Sequence, residues 1–444
     1  MAIINVSNAA QLTSALATAR GGDTIRLAAG DYDNVSIQNF RPTSRVTLVS
    51  ADVANPAHFD TLAVRTSQNL TFKNLDIGRA LAPGEPEHTQ LTLVRDSSTI
   101  VFEGNLIHGS LDGDAQNDGY GLFVDGVTGL AITNNTFKEL GRGAVVSTIT
   151  NLQVSGNKFL DIRSDALDTD DSSNVLIEDN LFKGFYPLDY DHPDAMQFHN
   201  LGATEWMENI TIRNNILLPG GTGSPQGIWI SDPGTTGFRN LHIENNLLWG
   251  KGLYNGIGLY GVENAKVIGN TVLSPTDDDK MMWIRVSGSD NVELIRNVAE
   301  EFIIQGGVTN LRQEGNINLR TSPAFRGLMA NPENPSGWND VRLSDGGAYT
   351  PVVTSSEAPV SSAAGNALKN LLSPTTGQSV AQLVSVLTVD DAAEELDLSR
   401  AAELAGAPAA PVAVSVPFEP VTEFSGFVSH HWRDGHQDWF VALP

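Results

Sequence analysis

Nine short segments of this chain end in the same way. "STIVFEGNLI", "TGLAITNNTF", "TNLQVSGNKF", "SNVLIEDNLF", "ENITIRNNIL", "RNLHIENNLL", "ENAKVIGNTV", "DNVELIRNVA" and "TNLRQEGNIN" each alternate apolar and polar residues and then reach an asparagine. The asparagines are Asn105, Asn135, Asn157, Asn180, Asn215, Asn246, Asn270, Asn297 and Asn316, spaced by 19 to 35 residues. Apolar residues at every second position mark strands, not helices. Units of this length, with short strands and no helical segment between them, stack as a parallel β-solenoid. The asparagine column then reads as a ladder at a tight turn, where Asn tolerates left-handed backbone geometry and its amide bonds to the next coil. The two longest intervals predict loops on one side of the solenoid.

The start of the chain suits this reading. Leu12, Ala15, Leu16 and Ala19 fall at helical spacing, and Gly21-Gly22 precede a strand at Thr24–Leu27. A short amphipathic helix there covers the first coil, otherwise an open sheet end. This start and the repeats, over roughly residues 5 to 320, resemble the pectin-lyase-like superfamily of right-handed parallel β-helices. That superfamily includes polysaccharide lyases, glycoside hydrolases, epimerases and phage tailspikes. The resemblance implies an all-β fold: a right-handed parallel β-helix with an N-terminal helical cap and a less regular C-terminal region. The expected organisation is a cap and first strand over 1–30 and about ten coils over 31–320. An irregular and partly helical region follows over 321–405, then a linker and aromatic tail over 406–444. Function does not follow from the fold, because it sits in sites grafted on it.

Charge narrows the partners. With 27 basic and 52 acidic residues the formal net charge is −25, which disfavours nucleic acid. An acidic polysaccharide is repelled too, unless a divalent cation or a local basic patch intervenes. There is no cysteine, so disulfide and thiolate chemistry are excluded. The N-terminus does not read as a signal peptide, and no stretch approaches the roughly 18 apolar residues of a membrane span. An extracellular or virion-associated place is expected, with no membrane partner. The aromatic tail, which holds His430, His431 and His436, suits packing on the solenoid or docking to a particle or a second copy.

Candidate site residues come from registering the strand that precedes each Asn segment. The stack is "GLFVDG", "GAVVST", "ALDTDD", "AMQFHN", "GIWISD", "GIGLYG" and "WIRVSG". Side chains alternate faces along a strand. One outward column therefore holds Phe123, Val145, Asp168, Gln197, Trp229, Gly258 and Arg285. The other holds Asp125, Ser147, Asp170, His199, Ser231, Tyr260 and Ser287. Asp168 and Asp170 are predicted to lie beside Gln197 and His199, about 4.8 Å away on the next rung. Such a strip offers a sugar aromatic platforms, hydrogen bonds and charge. A plain polar sheet face, with "DTDDSSN" as a turn, is the alternative.

The strip admits two chemistries. β-Elimination needs a neutralised uronate carboxylate, a base and a proton donor; Ca²⁺ on Asp165, Asp171 and Asp191 supplies the first. This acidic cluster resembles calcium-binding rungs of some polysaccharide lyases. The resemblance implies a Lys or Arg base, for which Arg285 and Lys251 are candidates, with His199 and His192 as the other option. Hydrolysis instead needs two carboxyl groups, drawn from Asp168, Asp170, Asp194 and Asp232, one with a raised pKa. Gln197, Trp229, Ser231 and Tyr260 hold the sugar in either case. The expected function is a depolymerase, lyase or endoglycosidase, acting on a bacterial or algal surface glycan. The alternative is a non-catalytic glycan-binding spike of a phage or phage-like particle.

Overall fold

The computed structural model describes residues 1–200, 205–231, 236–252 and 255–341. The helical pieces expected beyond residue 341 and the aromatic tail lie outside the described residues. A 21-stranded and a 12-stranded sheet, both built from parallel ladders, wrap one continuous apolar core. The larger sheet turns a corner at residues of positive φ, among them Asp96, Gly126, Thr148 and Asp171, so each coil presents two outer faces from that sheet. The smaller sheet supplies the third.

The cap forms as expected. A helix spans Ala9–Leu16, and the Asn8 side chain accepts the Gln11 N–H at 2.9 Å. Leu12, Ala15 and Leu16 are buried over the first coil, where Ile3–Val6 pairs with Thr24–Leu27.

The asparagine ladder is continuous from Asn105 to Asn316. From Asn135 on, each Oδ1 accepts two donors from the Asn one coil earlier, its backbone N–H and its Nδ2; from Asn105 to Asn135 both distances are 2.9 Å. The Nδ2 of Asn135 also donates to Phe102 O at 3.0 Å. One detail differs from expectation. The left-handed residue is the one before the ladder asparagine, as in Asn134, Asp179, Asn214 and Asn245. The ladder asparagines from Asn105 to Asn297 are buried, and a buried amide must find partners for its polar groups. Its neighbour makes the bend, exposed at Asn134, Asp179 and Asn214 and buried at Asn245.

A second, outer ladder runs through Asn151, Asn174, Asn209, Asn240, Asn264 and Asn291. All six have positive φ. Inside, Phe137, Phe159 and Phe182 stack at centroid distances of 4.7 and 4.9 Å. Past the last coil, Met329 and Val341 pack with Leu247, Trp249 and Leu273 on the outer side of the smaller sheet.

Candidate functional site

The predicted register is the observed one. Asp168 pairs with Gln197 and Asp170 with His199. Gln197 pairs with Trp229, Ser231 with Tyr260, and Gly258 with Arg285. The strip is not open along its whole length, however. In the first outward column Phe123, Val145, Asp168 and Gln197 are buried, and Phe123 and Val145 form a small apolar cluster with Leu93. Trp229, Tyr260 and Arg285 are half-buried.

Loops produce this cover. The segments joining the smaller sheet to each following strand rise beside the column, and they are tied together. Gln116 donates to Tyr186 O at 3.2 Å, and buried Arg163 reaches Glu87 at 2.9 Å and Asp191 at 3.2 Å. Segment 186–193 thereby lies against the carboxyl rungs.

A third column, three residues before the first, completes the site. It holds Tyr120, Arg142, Asp165, Asp194, Gln226 and Asn255. Arg142 bridges two carboxyls: Nη2 meets Asp165 Oδ2 at 2.9 Å and Nη1 bonds Asp168 Oδ2. Its guanidinium also lies over the Tyr120 ring, 5.5 Å from the centroid. Asp165 Oδ1 accepts the Asp194 N–H at 2.9 Å, and Asp194 Oδ2 accepts from Gln197 Nε2 at 2.5 Å. Further along, Gln226 Nε2 lies 3.3 Å from His192 and its Oε1 accepts from Asn255. Asn255 Oδ1 in turn accepts from Trp283 Nε1 at 2.8 Å. Sequence reasoning found Asp165 and Asp194 but missed Arg142, Gln226, Asn255 and Trp283. Extending each registered strand by one residue toward the N-terminus would have revealed Arg142, Gln226 and Asn255, and Trp283 already opens "WIRVSG".

One guanidinium cannot balance three buried carboxylates, so protons are retained. Burial and the neighbouring Asp165 push the Asp194 carboxyl well above its ordinary range, more than its bond from Gln197 can offset. Burial likewise outweighs Arg142 and, with Asp165, lifts Asp168 to about 7. Arg142 is pulled down by burial, but Asp165 and Asp168 more than reverse this and hold it charged. Asp168 Oδ1 and Asp194 Oδ1 are buried without a hydrogen-bond partner. Asp170 is displaced to a second cluster, with His199 Nδ1 at 4.0 Å, and is also raised by burial and by Asp168 and Asp171.

These shifts set a pH dependence. A carboxyl whose folded pKa exceeds its unfolded one stabilises the fold fully below the unfolded value. That stability is lost as pH rises through the folded value. For Asp168 the window runs from 3.8 to about 7. Thermal denaturation across pH 4 to 8 is expected to show a falling midpoint, with a smaller fall in Asp168→Asn.

The carboxylates assigned to calcium do not come together. Asp165 is held by Arg142, while Asp191 pairs with Arg163 and accepts the Leu188 N–H at 2.9 Å. Asp171 is the corner residue, with φ of 43°. Arginine-held carboxyls do not make the oxygen cage that a hard cation needs. The base roles fare similarly. Arg285 bonds Gln305 and lies over the rings of Tyr260 and Trp283, at 5.2 and 5.9 Å, so it belongs to the aromatic strip. Lys251 meets exposed Asp277 at 3.4 Å, and His192 is largely exposed, with its Nδ1 3.9 Å from Asp194 Oδ2. Trp229 and Tyr260 stand at 4.7 Å, tilted by 51°. Asp232 lies outside the described residues.

Parallel ladders, stacked asparagines and aligned coils define the class. The chain folds as a right-handed parallel β-helix, and the family model described as "Right handed beta helix region" matches its residues 60–218. The Dettilon tailspike protein is similar in structure, with 15% identity and a TM-score of 0.49. That match covers 66% of this chain but only 60% of the tailspike, under two thirds of its length. The alginate lyase of Paenibacillus sp. is 17% identical over 71% of this chain and 98% of its own, with a TM-score of 0.37. DFA-IIIase from Arthrobacter chlorophenolicus is 11% identical over 65% of this chain and 83% of its own, at 0.45. The search of curated proteins finds no match. Among the described residues no helix is long and apolar enough to cross a membrane.

Proposed function

We propose that the protein binds a polysaccharide along the Trp229–Tyr260–Arg285 strip and hydrolyses it with the carboxyl groups of the adjoining rungs. The observation that carries this reading is the cluster of Asp165 and Asp168 on a single arginine with Asp194 bonded to Asp165, in register with that strip. A carboxyl that keeps its proton near neutral pH is what glycosidic oxygen needs as general acid. Ring faces such as Trp229 and Tyr260 suit the apolar faces of sugars, and Gln197 beside them is held against Asp194. β-Elimination is less well served. Arg142 is spent on carboxylates, and Arg285 on Gln305 and two aromatic rings. Neither is free to neutralise a uronate, so the glycan is read as neutral or weakly acidic. Cleavage requires segment 186–193 to yield, because Asp194 has no exposed surface. A protein of this kind works outside the cell or on a virion.

That same burial favours a second reading, a glycan-binding spike that turns nothing over. The test is a panel of neutral and uronate-containing bacterial polysaccharides, followed for reducing ends, for unsaturated-uronate absorbance and for retention on the protein. Reducing ends without absorbance are expected. Absorbance would overturn the hydrolytic reading, and retention without either product would leave the spike. Trp229→Ala is expected to weaken retention about tenfold or more, since stacked aromatic contacts are worth about 1–3 kcal/mol each in the comparable case of bases on aromatic rings.

A further inference from the structure

On the outer face of the smaller sheet, far in sequence from the carboxyl rungs, three side chains converge. Asp31, His58 and Asp76 occupy one column on successive rungs, with Asp31 opposite His58 and His58 opposite Asp76. His108, one rung further, pairs with Gly78 and reaches back toward Asp76. The close approach needs glycine: a Cβ at residue 78 would stand 1.8 Å from His108 O.

Each imidazole has its outer nitrogen anchored. His108 Nδ1 lies 2.8 Å from the Gly109 carbonyl, which can only accept, so Nδ1 carries the proton. His58 Nε2 faces Asp60 Oδ1 at 3.4 Å, another acceptor. The inner nitrogen of His108 is then a lone pair, that of His58 is one whenever its proton sits on Nε2, and both face one carboxylate. His58 Nδ1 lies 3.0 Å from Asp76 Oδ2, and His108 Nε2 lies 2.8 Å from Asp76 Oδ1. The second contact is close but misaligned: His108 Nε2 and Asp76 Oδ1 are both buried and neither makes a hydrogen bond. In that tautomer three acceptors face one another, an arrangement that a cation between them satisfies. The ligand atoms of His58, Asp76 and His108 all fall within 4.8 Å of one another.

We propose that His58, Asp76 and His108 form a site for one divalent transition-metal ion of the zinc class, clamping three successive rungs. Two imidazoles and a carboxylate are the donor set of such an ion, and a fourth position remains for water. Outer nitrogens fixed by a carboxylate and a carbonyl orient histidine ligands in the same way. Nitrogen donors argue against calcium, which takes oxygen. The role is to tie the first coils together, so it stands whether or not the glycan reading does.

The experiment uses the full chain carrying His430→Ala, His431→Ala and His436→Ala, which removes the tail histidines as competing donors. Chelator-treated protein is titrated with ZnCl₂ by calorimetry, with CaCl₂ in parallel, and its thermal midpoint is recorded with and without metal. One zinc per chain, a raised midpoint and no calcium response are expected. His108→Ala and Asp76→Asn should abolish binding while keeping the circular dichroism of the parent. Asp60→Asn, which touches only the anchor of His58, should weaken it about 10–100-fold. Failure of the parent to bind zinc would overturn the site and leave a proton-bridged His–Asp–His network. Unchanged binding in both His108→Ala and Asp76→Asn would also overturn it.

Discussion

Asp194→Asn is expected to lower the rate of glycan hydrolysis about 10²–10⁴-fold, the usual contribution of a positioned general acid. The substitution keeps the shape of the side chain. Its carbonyl oxygen can still accept from Gln197 Nε2, and the backbone N–H bond to Asp165 Oδ1 is untouched. What disappears is the dissociable proton. Retention of the glycan should survive, because Trp229 and Tyr260 are unaltered. Stability above neutral pH should rise, since the wild-type carboxyl resists ionisation where it sits. Reducing-end release and glycan retention, measured on the same preparation, check both halves. Full activity in Asp194→Asn would remove Asp194 from the chemistry. Asp168 would then be the remaining candidate acid, tested by Asp168→Asn, whose amide oxygen can still accept from Arg142 Nη1.

The rungs were legible because the Asn period and the apolar alternation fix the register together. A slip of one residue would have turned every inward side chain out. Hence Asp168 against Gln197 and Gly258 against Arg285 could be placed before any coordinates. Cover was not legible. Whether an outward Asp168 meets water or a loop depends on contacts such as Gln116 to Tyr186, 70 residues apart. Arg142 escaped notice for a simpler reason, since the registered strand was taken to begin one residue after it. The metal-like cluster was hidden differently: the smaller-sheet strands repeat an inward apolar residue after each ladder position, and His58, Asp76 and His108 stand outside that repeat. Their nearness follows from stacking alone. The outer ladder, by contrast, was present in the template as "TNL", "SNV", "ENI" and "RNL", but its period is the same as that of the inner one.

The two ladders look alike in sequence and are expected to respond oppositely to mutation. Asn180→Ala should be severely destabilising. Asn180 Oδ1 accepts the Asn157 N–H at 2.9 Å, and its Nδ2 donates to Val154 O at 3.0 Å, all inside the solenoid. Each buried polar group stranded by the change costs about 1–3 kcal/mol, and no water can reach them. Because each coil rests on its neighbours, the loss in mid-solenoid weakens both sides of the break. Asn316→Ala should be milder, since that residue ends the ladder and is partly exposed. In the outer ladder Asn209→Gly should cost little. The demand there is for positive φ, and Gly129, one coil before Asn151 in the same position, already meets it at 78°. Urea denaturation of the three variants separates the roles. A midpoint lowered strongly in Asn180→Ala and hardly at all in Asn209→Gly assigns the stability to backbone groups satisfied in the interior. Equal losses would mean that the amide contacts between coils, not the backbone they serve, hold the stack together.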